Sequence, residues 1–211
     1  MASELKTGPA AAHDAGGAIP IPGQSFLQIT RTLQATCGQQ YEPLLKAAGL
    51  ARFLQTPPAD DWRPAGTSAE LVRLFTVVYD MLGEDLTRLF HRNCNVAIAS
   101  YILEGQWAAA ARAEAAQVPA EQRLAWAVQE IARYCARSWS PHLISEDAGA
   151  WYLTNEHCVV CADVRGAVGP FCGTATMFAA LAQALVGRRV RGIEVECAAM
   201  GAPHCKYALY K

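Results

Sequence analysis

The stretch Glu194-Val-Glu-Cys197-Ala-Ala-Met-Gly201-Ala-Pro203-His-Cys205 carries the strongest structural signal in this chain. Two cysteines flank a short segment in which Gly201 and Pro203 predict a tight turn. The sequences on either side, 190–197 and 204–210, predict two antiparallel strands joined by that turn. Paired cysteines around a turn are a recurrent arrangement of metal ligands, so we expect a thiolate metal site here.

Five cysteines lie in this part of the sequence and offer two competing sets of four zinc ligands. The two sets are Cys158, Cys161, Cys197 and Cys205, or Cys172, Glu194, Cys197 and Cys205. Val159 and Val160 favour a strand, and strand residues three apart face opposite sides, which separates Cys158 from Cys161. The spacing therefore favours the second set.

The second set raises the same question for Glu194 and Cys197, but Cys197 can leave its strand at the turn. Glu196 is a competing carboxylate. Cys172 begins an apolar helical run, and the helix dipole favours a thiolate at that end. The alternative is that these cysteines are buried thiols without a metal, because cysteine is among the most buried residue types.

The composition restricts the class of protein. The chain has 211 residues and a formal net charge of −1, which gives no electrostatic basis for binding nucleic acid. Its apolar runs are interrupted by charged or amide side chains, so we expect no transmembrane helix. Residues 1–24 lack the pattern of a signal peptide, so we expect reduced thiols and a cytoplasmic location, with peripheral membrane contact left open.

The order of predicted elements indicates an α+β fold with N-terminal helices packed on an antiparallel sheet. We expect a flexible tail over 1–24 and a single domain over 25–211. Apolar periodicity predicts helices through 25–137, with a break at Gly83 and another start at Pro119. Residues 138–211 then predict a β-β-α-β-β unit with strands over 139–144 and 150–160, a loop over 162–170 and a helix over 172–186.

The motif Glu194-x-x-Cys197-x-Ala-x-Gly201-x-Pro203-x-Cys205, with Cys172 before an Ala-rich helix, resembles the 4-vinyl reductase domain family. The segments 99–103, 131–133 before Trp139, and 151–153 look like the members of that family that act in bacteriochlorophyll biosynthesis. The resemblance implies a fold related to haem nitric-oxide-binding domains and vesicle-tethering subunits. It also implies structural zinc on Cys172, Glu194, Cys197 and Cys205.

The resemblance further implies a hydrophobic ligand between the helices and the sheet, which in the pigment-synthesis members would be a chlorophyll precursor. A magnesium tetrapyrrole needs an apolar slot and often an axial ligand, for which the imidazoles of His91, His142 and His157 are candidates. The candidate slot residues are Trp126, Tyr134, Trp139, Trp151, Met177 and Phe178. The alternative for every one of them is ordinary core packing.

Three functions follow from these expectations. The first is a tetrapyrrole-binding accessory or carrier protein of bacteriochlorophyll biosynthesis, working with a pigment-biosynthesis enzyme and peripheral to photosynthetic membranes. The second is a regulatory module that senses a small aromatic ligand, and the third is a homodimeric assembly protein. The family name implies a reductase, but the sequence contains no Gly-x-Gly-x-x-Gly after a strand, so we do not expect enzymatic reduction.

Overall fold

The computed structural model describes residues 19–138, 140–158, 160–161 and 172–211. Helices come first and a β-β-α-β-β unit follows, which confirms the predicted α+β class. The first part contains β1 (Pro20–Pro22), α1 (Gly23–Cys37), α2 (Tyr41–Ala47), α3 (Arg52–Gln55), β2 (Pro64–Thr67), α4 (Ser68–Glu104), α5 (Gln106–Ala115) and α6 (Arg123–Ser138). The second part contains β3 (Leu143–Glu146), β4 (Ala150–Asn155), α7 (Thr174–Val186), β5 (Arg191–Glu196) and β6 (Cys205–Tyr210).

The four strands of the second part form one antiparallel sheet in the order β3-β4-β6-β5. Residues that face each other across neighbouring strands lie on the same side of a sheet. Tyr207 is paired with Leu153 on one side and Glu194 on the other, and all three side chains are buried. This shared side of the sheet therefore faces the helices.

Helix α7 joins the sheet to the helical part, because it packs against β5 and β6 as well as α4 and α6. Its contact with β5 is close at Gly192, where a Cβ atom would lie 2.5 Å from the Ala175 carbonyl oxygen. Glycine is what allows the two backbones to approach so closely. Buried side chains from both parts form a continuous core that extends from Ile21 to Leu209.

Helix α4 supplies most of the helical wall and begins with a capping box. The Thr67 hydroxyl accepts a hydrogen bond from the Glu70 N–H, and the Glu70 carboxylate accepts one from the Thr67 N–H. Gly83 interrupts the helix with φ 76° and ψ 176°, a conformation open almost only to glycine. The predicted break at Gly83 is thus a kink inside one long helix.

Three boundaries differ from the sequence prediction. Residues 20–22, assigned above to a flexible tail, pair with β2 and bury Ile21, while residues 1–18 lie outside the described residues. The second predicted strand of the sheet ends at Asn155 instead of residue 160. Helix α5 was not predicted, because its buried face consists of alanines, which give a weak hydrophobic signal.

Within the ranges that the structure describes, no helix combines the length and apolar character needed to cross a bilayer. The predicted loop over 162–170 lies outside the described residues.

Candidate metal centre and adjoining cavity

Six buried donor side chains meet at one end of the sheet, beneath the start of α7. They come from the segment after β4, the residue before α7, strand β5 and the turn to β6, and they are Cys158, Cys161, Cys172, Glu194, Cys197 and Cys205. No disulfide joins cysteines in the described part of the chain. We call these six residues the thiol cluster.

A turn brings Cys158 and Cys161 to the same place, in contrast to the strand geometry expected from the sequence. The Cys161 N–H donates a hydrogen bond to the Cys158 carbonyl at 3.1 Å, which closes a turn three residues wide. Since β4 has already ended at Asn155, the rule that strand residues three apart face opposite sides does not apply here. Both thiols therefore belong to the thiol cluster.

A strand irregularity brings Glu194 and Cys197 together. The pairing of β5 with β6 shifts register between Glu194 and Glu196, as in a β-bulge. The extra residue turns Cys197 towards the side that Glu194 already occupies, and both side chains are buried. Glu196 points elsewhere, since its carboxylate pairs with His204 at 2.9 Å and with Lys206 at 3.6 Å.

The donor atoms fall into two overlapping sets of four, and within each set all atoms lie within 4.8 Å of one another. One set is Cys158, Cys161, Cys172 and Cys205, and the other is Cys161, Glu194, Cys197 and Cys205. Neither predicted quartet coincides with one of these sets. Cys172 nonetheless lies 3.1 Å from Glu194 through its sulphur and Oε1, so the two sets are in contact.

Hydrogen-bond donors surround the sulphur atoms. The Thr174 hydroxyl donates to Cys172 Sγ at 3.3 Å, and the Ala198 N–H donates to Cys205 Sγ at 3.4 Å. The Tyr207 hydroxyl lies 3.3 Å from Cys172 Sγ and donates to Cys158 Sγ at 3.8 Å. Donors in these positions orient thiolate ligands and stabilise their negative charge.

The protonation of the thiol cluster reflects its burial. Burial and the nearby charge of Cys172 raise the pKa of Glu194 to about 11. Hydrogen bonding with Cys158 is the main cause that raises the pKa of both Cys161 and Cys205. Burial raises the pKa of Cys172 too, but hydrogen bonds from Cys158 and Cys161 outweigh it and leave that pKa well below its usual value.

This donor set suits a thiophilic divalent cation. Thiolates and a carboxylate are ordinary zinc ligands, and a cation would replace the protons that now hold the buried groups neutral. Glu194 Oε2 is buried and has no hydrogen-bond partner among the residues that the structure describes. A buried carboxylate oxygen without a partner is unfavourable, and a metal ion would supply one.

A cavity of about 80 Å³ adjoins the thiol cluster, between α4, α7 and the sheet. Its wall includes the thiols of Cys158 and Cys172, so the cluster and the cavity share two side chains. The remaining wall is mostly apolar and consists of Ile21, Ile29, Leu71, Phe75, His91, Cys94, Asn95, Ile98, Cys135, Ser140, His142, Asn155, Val160, Thr174, Met177 and Phe178.

His142 presents a hydrogen-bond acceptor in this apolar surrounding. Its Nδ1 lies 3.0 Å from the Ser140 carbonyl oxygen, which can only accept, so Nδ1 carries the proton. Nε2 is then an acceptor, and it is buried without a hydrogen-bond partner among the described residues. Burial lowers the pKa of His142 to about 4, which keeps the ring neutral at physiological pH.

The structure brings together four of the eight residues predicted for a ligand slot, namely His91, His142, Met177 and Phe178. Trp126 and Trp151 lie elsewhere and are partly buried against the core, and Lys211 lies over the Trp151 ring. Tyr134 instead packs its ring on Trp107 at 4.5 Å. Trp139 lies outside the described residues.

Two polar residues of this region were missed from the sequence. Asn95 donates from Nδ2 to the carbonyls of His91 and Cys172, both at 2.8 Å, and so ties α4 to the thiol cluster. Tyr207 lies among the thiols because it follows Cys205 by two residues on β6, the spacing that shares a strand face. That spacing was the available signal for Tyr207, whereas Asn95 gave none.

Among solved structures, the chain is similar to the crystal structure of the phenol-responsive sensory domain of the transcription activator PoxR with phenol. The sequence identity is 18% and the TM-score is 0.41, and the similarity covers 82% of this chain and 90% of that chain. No curated protein matches the sequence. Residues 151–210, which include β4, α7, β5 and β6, match the model of the 4-vinyl reductase domain family, in agreement with the resemblance predicted for this part of the chain.

Proposed function

We propose that this protein binds a small apolar ring compound carrying one hydrogen-bond donor, and that a structural zinc site at the thiol cluster holds one wall of the binding cavity. The observation that carries the proposal is the buried acceptor atom of His142 in an otherwise apolar cavity. A ligand O–H or N–H directed at Nε2 would satisfy it, while the ring of the ligand contacts Met177 and Phe178.

The size of the cavity limits the ligand. A dry cavity of about 150 Å³ accepts benzene in an engineered protein, so the cavity of about 80 Å³ fits a single ring only after a small expansion. Met177, an unbranched and adaptable side chain, is suited to give way. A tetrapyrrole needs a pocket towards the upper end of the range of roughly 300–1,000 Å³.

The finer expectations from the sequence stay predictions under this proposal. They are a chlorophyll precursor as ligand, a role in bacteriochlorophyll biosynthesis, a pigment-biosynthesis enzyme as partner and a homodimer. The small cavity favours a single-ring ligand over the tetrapyrrole. A magnesium porphyrin is therefore included as a probe below, so that the two ligand classes are compared on the same protein.

The test is calorimetric titration with phenol and toluene, which have nearly the same shape and differ in one hydroxyl. We expect phenol to bind roughly three- to tenfold more tightly than toluene, the net effect of one hydrogen bond. In His142→Leu the preference should disappear, because the acceptor is gone while the apolar wall remains.

His157→Leu is the matched control, since His157 is exposed and lies outside the cavity wall. This variant should keep the preference of the unmodified protein for phenol. Equal preference in His142→Leu and the unmodified protein would contradict the proposed role of His142. Tight binding of the magnesium porphyrin without binding of either small ring would favour the tetrapyrrole expectation instead.

A further inference from the structure

The two overlapping donor sets of the thiol cluster contain more ligands than one tetrahedral ion can use. The sets share Cys161 and Cys205, and together they comprise five thiols and one carboxylate. Structural zinc takes four protein ligands. A single ion in one set would therefore leave two buried donors of the other set without a metal.

The spacing of the sulphur atoms is that of a zinc–thiolate site. A zinc–sulphur bond of about 2.3 Å in a tetrahedron puts ligand sulphurs about 3.8 Å apart. Cys161 Sγ and Cys197 Sγ lie 3.7 Å apart, and the donor atoms of each set lie within 4.8 Å of one another. Each set thus surrounds a space of the right size for one ion.

We propose that the thiol cluster binds two zinc ions, with the thiolates of Cys161 and Cys205 bridging both. Cys158 and Cys172 complete the tetrahedron of one ion, and Glu194 and Cys197 complete that of the other. All six donors are then used, and each ion has four ligands. Each thiol that ligates releases its proton to solvent, and no electron is transferred.

The surroundings are consistent with the charge of such a centre. Two divalent ions offset four of the six negative charges of the donors. The hydrogen bonds from Thr174 to Cys172 and from the Ala198 N–H to Cys205 stabilise part of the remainder. The Tyr207 hydroxyl lies between Cys172 and Cys158 and adds a donor to the first ion's ligands.

The test is the metal stoichiometry of the full chain loaded with zinc, measured by native mass spectrometry and elemental analysis. We expect two zinc ions per chain. Cys158→Ser and Glu194→Gln each remove a terminal ligand of a different ion, so each variant should retain one zinc. Cys37→Ser, at the end of α1 and outside the thiol cluster, is the control and should retain two.

A second measurement on the unaltered sequence does not depend on any variant folding. Two cobalt(II) ions bridged by thiolates couple magnetically, so the electron paramagnetic resonance signal per cobalt should fall well below that of an isolated ion. In Cys158→Ser the single cobalt should give the full signal.

Two zinc ions, an inference that rests on the proposed zinc site, and a single ion give distinguishable outcomes. One zinc per chain in the unmodified protein, unchanged by Cys158→Ser, would overturn the binuclear centre and leave the proposed structural zinc intact. An uncoupled cobalt signal in the unmodified protein would overturn the bridges. Absence of bound metal from every form would overturn both proposals.

Discussion

Removal of zinc is expected to lower the melting temperature of this protein by about 10–20 °C. Structural zinc contributes roughly 10–16 kcal/mol to small zinc-finger peptides, and a contribution of even about 5 kcal/mol corresponds to this shift for a chain of about 200 residues. The reason is specific to the thiol cluster, where the metal-free state must keep Glu194 protonated and buried. The measurement is thermal unfolding with and without a strong chelator.

Cys205→Ser should reproduce the effect of the chelator, because Cys205 belongs to both donor sets. Cys37→Ser serves again as the control, since this half-buried cysteine lies outside the thiol cluster. Its melting temperature should stay close to that of the unmodified protein, and the chelator should still lower it. A chelator that extracts zinc without shifting the melting temperature would show that the metal does not stabilise the fold.

Phe178→Ala is expected to cost about 3–5 kcal/mol of folding stability, as removal of a fully buried phenylalanine ring generally does. Phe178 packs edge-on against His142 and Tyr207, with ring centroids 5.2 Å and 5.3 Å apart. Its loss joins the space of the ring to the existing cavity of about 80 Å³. The enlarged cavity should accept a two-ring alcohol such as 1-naphthol, with the hydroxyl on His142.

Binding of 1-naphthol should therefore restore stability to Phe178→Ala, by roughly 2.7 kcal/mol at a concentration one hundred times its Kd. Phe26→Ala is the matched control, because Phe26 is also fully buried but packs on Phe53 outside the cavity wall. Its loss leaves a space of one ring, which is too small for 1-naphthol. Equal rescue of both variants, measured by thermal unfolding, would argue against an extended cavity at Phe178.

The C-terminal unit was the most predictable part of the chain. Gly201 and Pro203 indicated the turn, and strands β5 and β6 lie where the flanking sequences placed them. Gly187 ends α7 with φ 76°, the left-handed conformation for which glycine is preferred at a helix end. These features are local, so the sequence of each segment was sufficient to predict them.

The composition of the thiol cluster was less predictable, because it depends on departures from regular strand geometry. Val159 and Val160 favour a strand by propensity, yet the chain turns after Asn155 and brings Cys158 beside Cys161. A one-residue irregularity in β5 likewise sets the direction of Cys197. Neither the early end of a strand nor a bulge has a reliable signature in a single sequence.

The cavity could not be predicted in detail, because long-range packing decides which side chains line it. Aromatic residues were chosen as candidates for their size, and Tyr134 was taken up by its contact with Trp107. Ile21 lines the cavity because β1 pairs with β2, more than forty residues away in sequence. The prolines of β1 and β2 indicated a tail and a loop, although an edge ladder tolerates proline.

X-ray absorption at the zinc edge of the purified protein tests most directly whether the thiol cluster is a zinc site. The account predicts a ligand shell dominated by sulphur at about 2.3 Å, with a minor oxygen contribution from Glu194 at about 2.0–2.2 Å. A shell of only oxygen or nitrogen atoms, without sulphur, would contradict it.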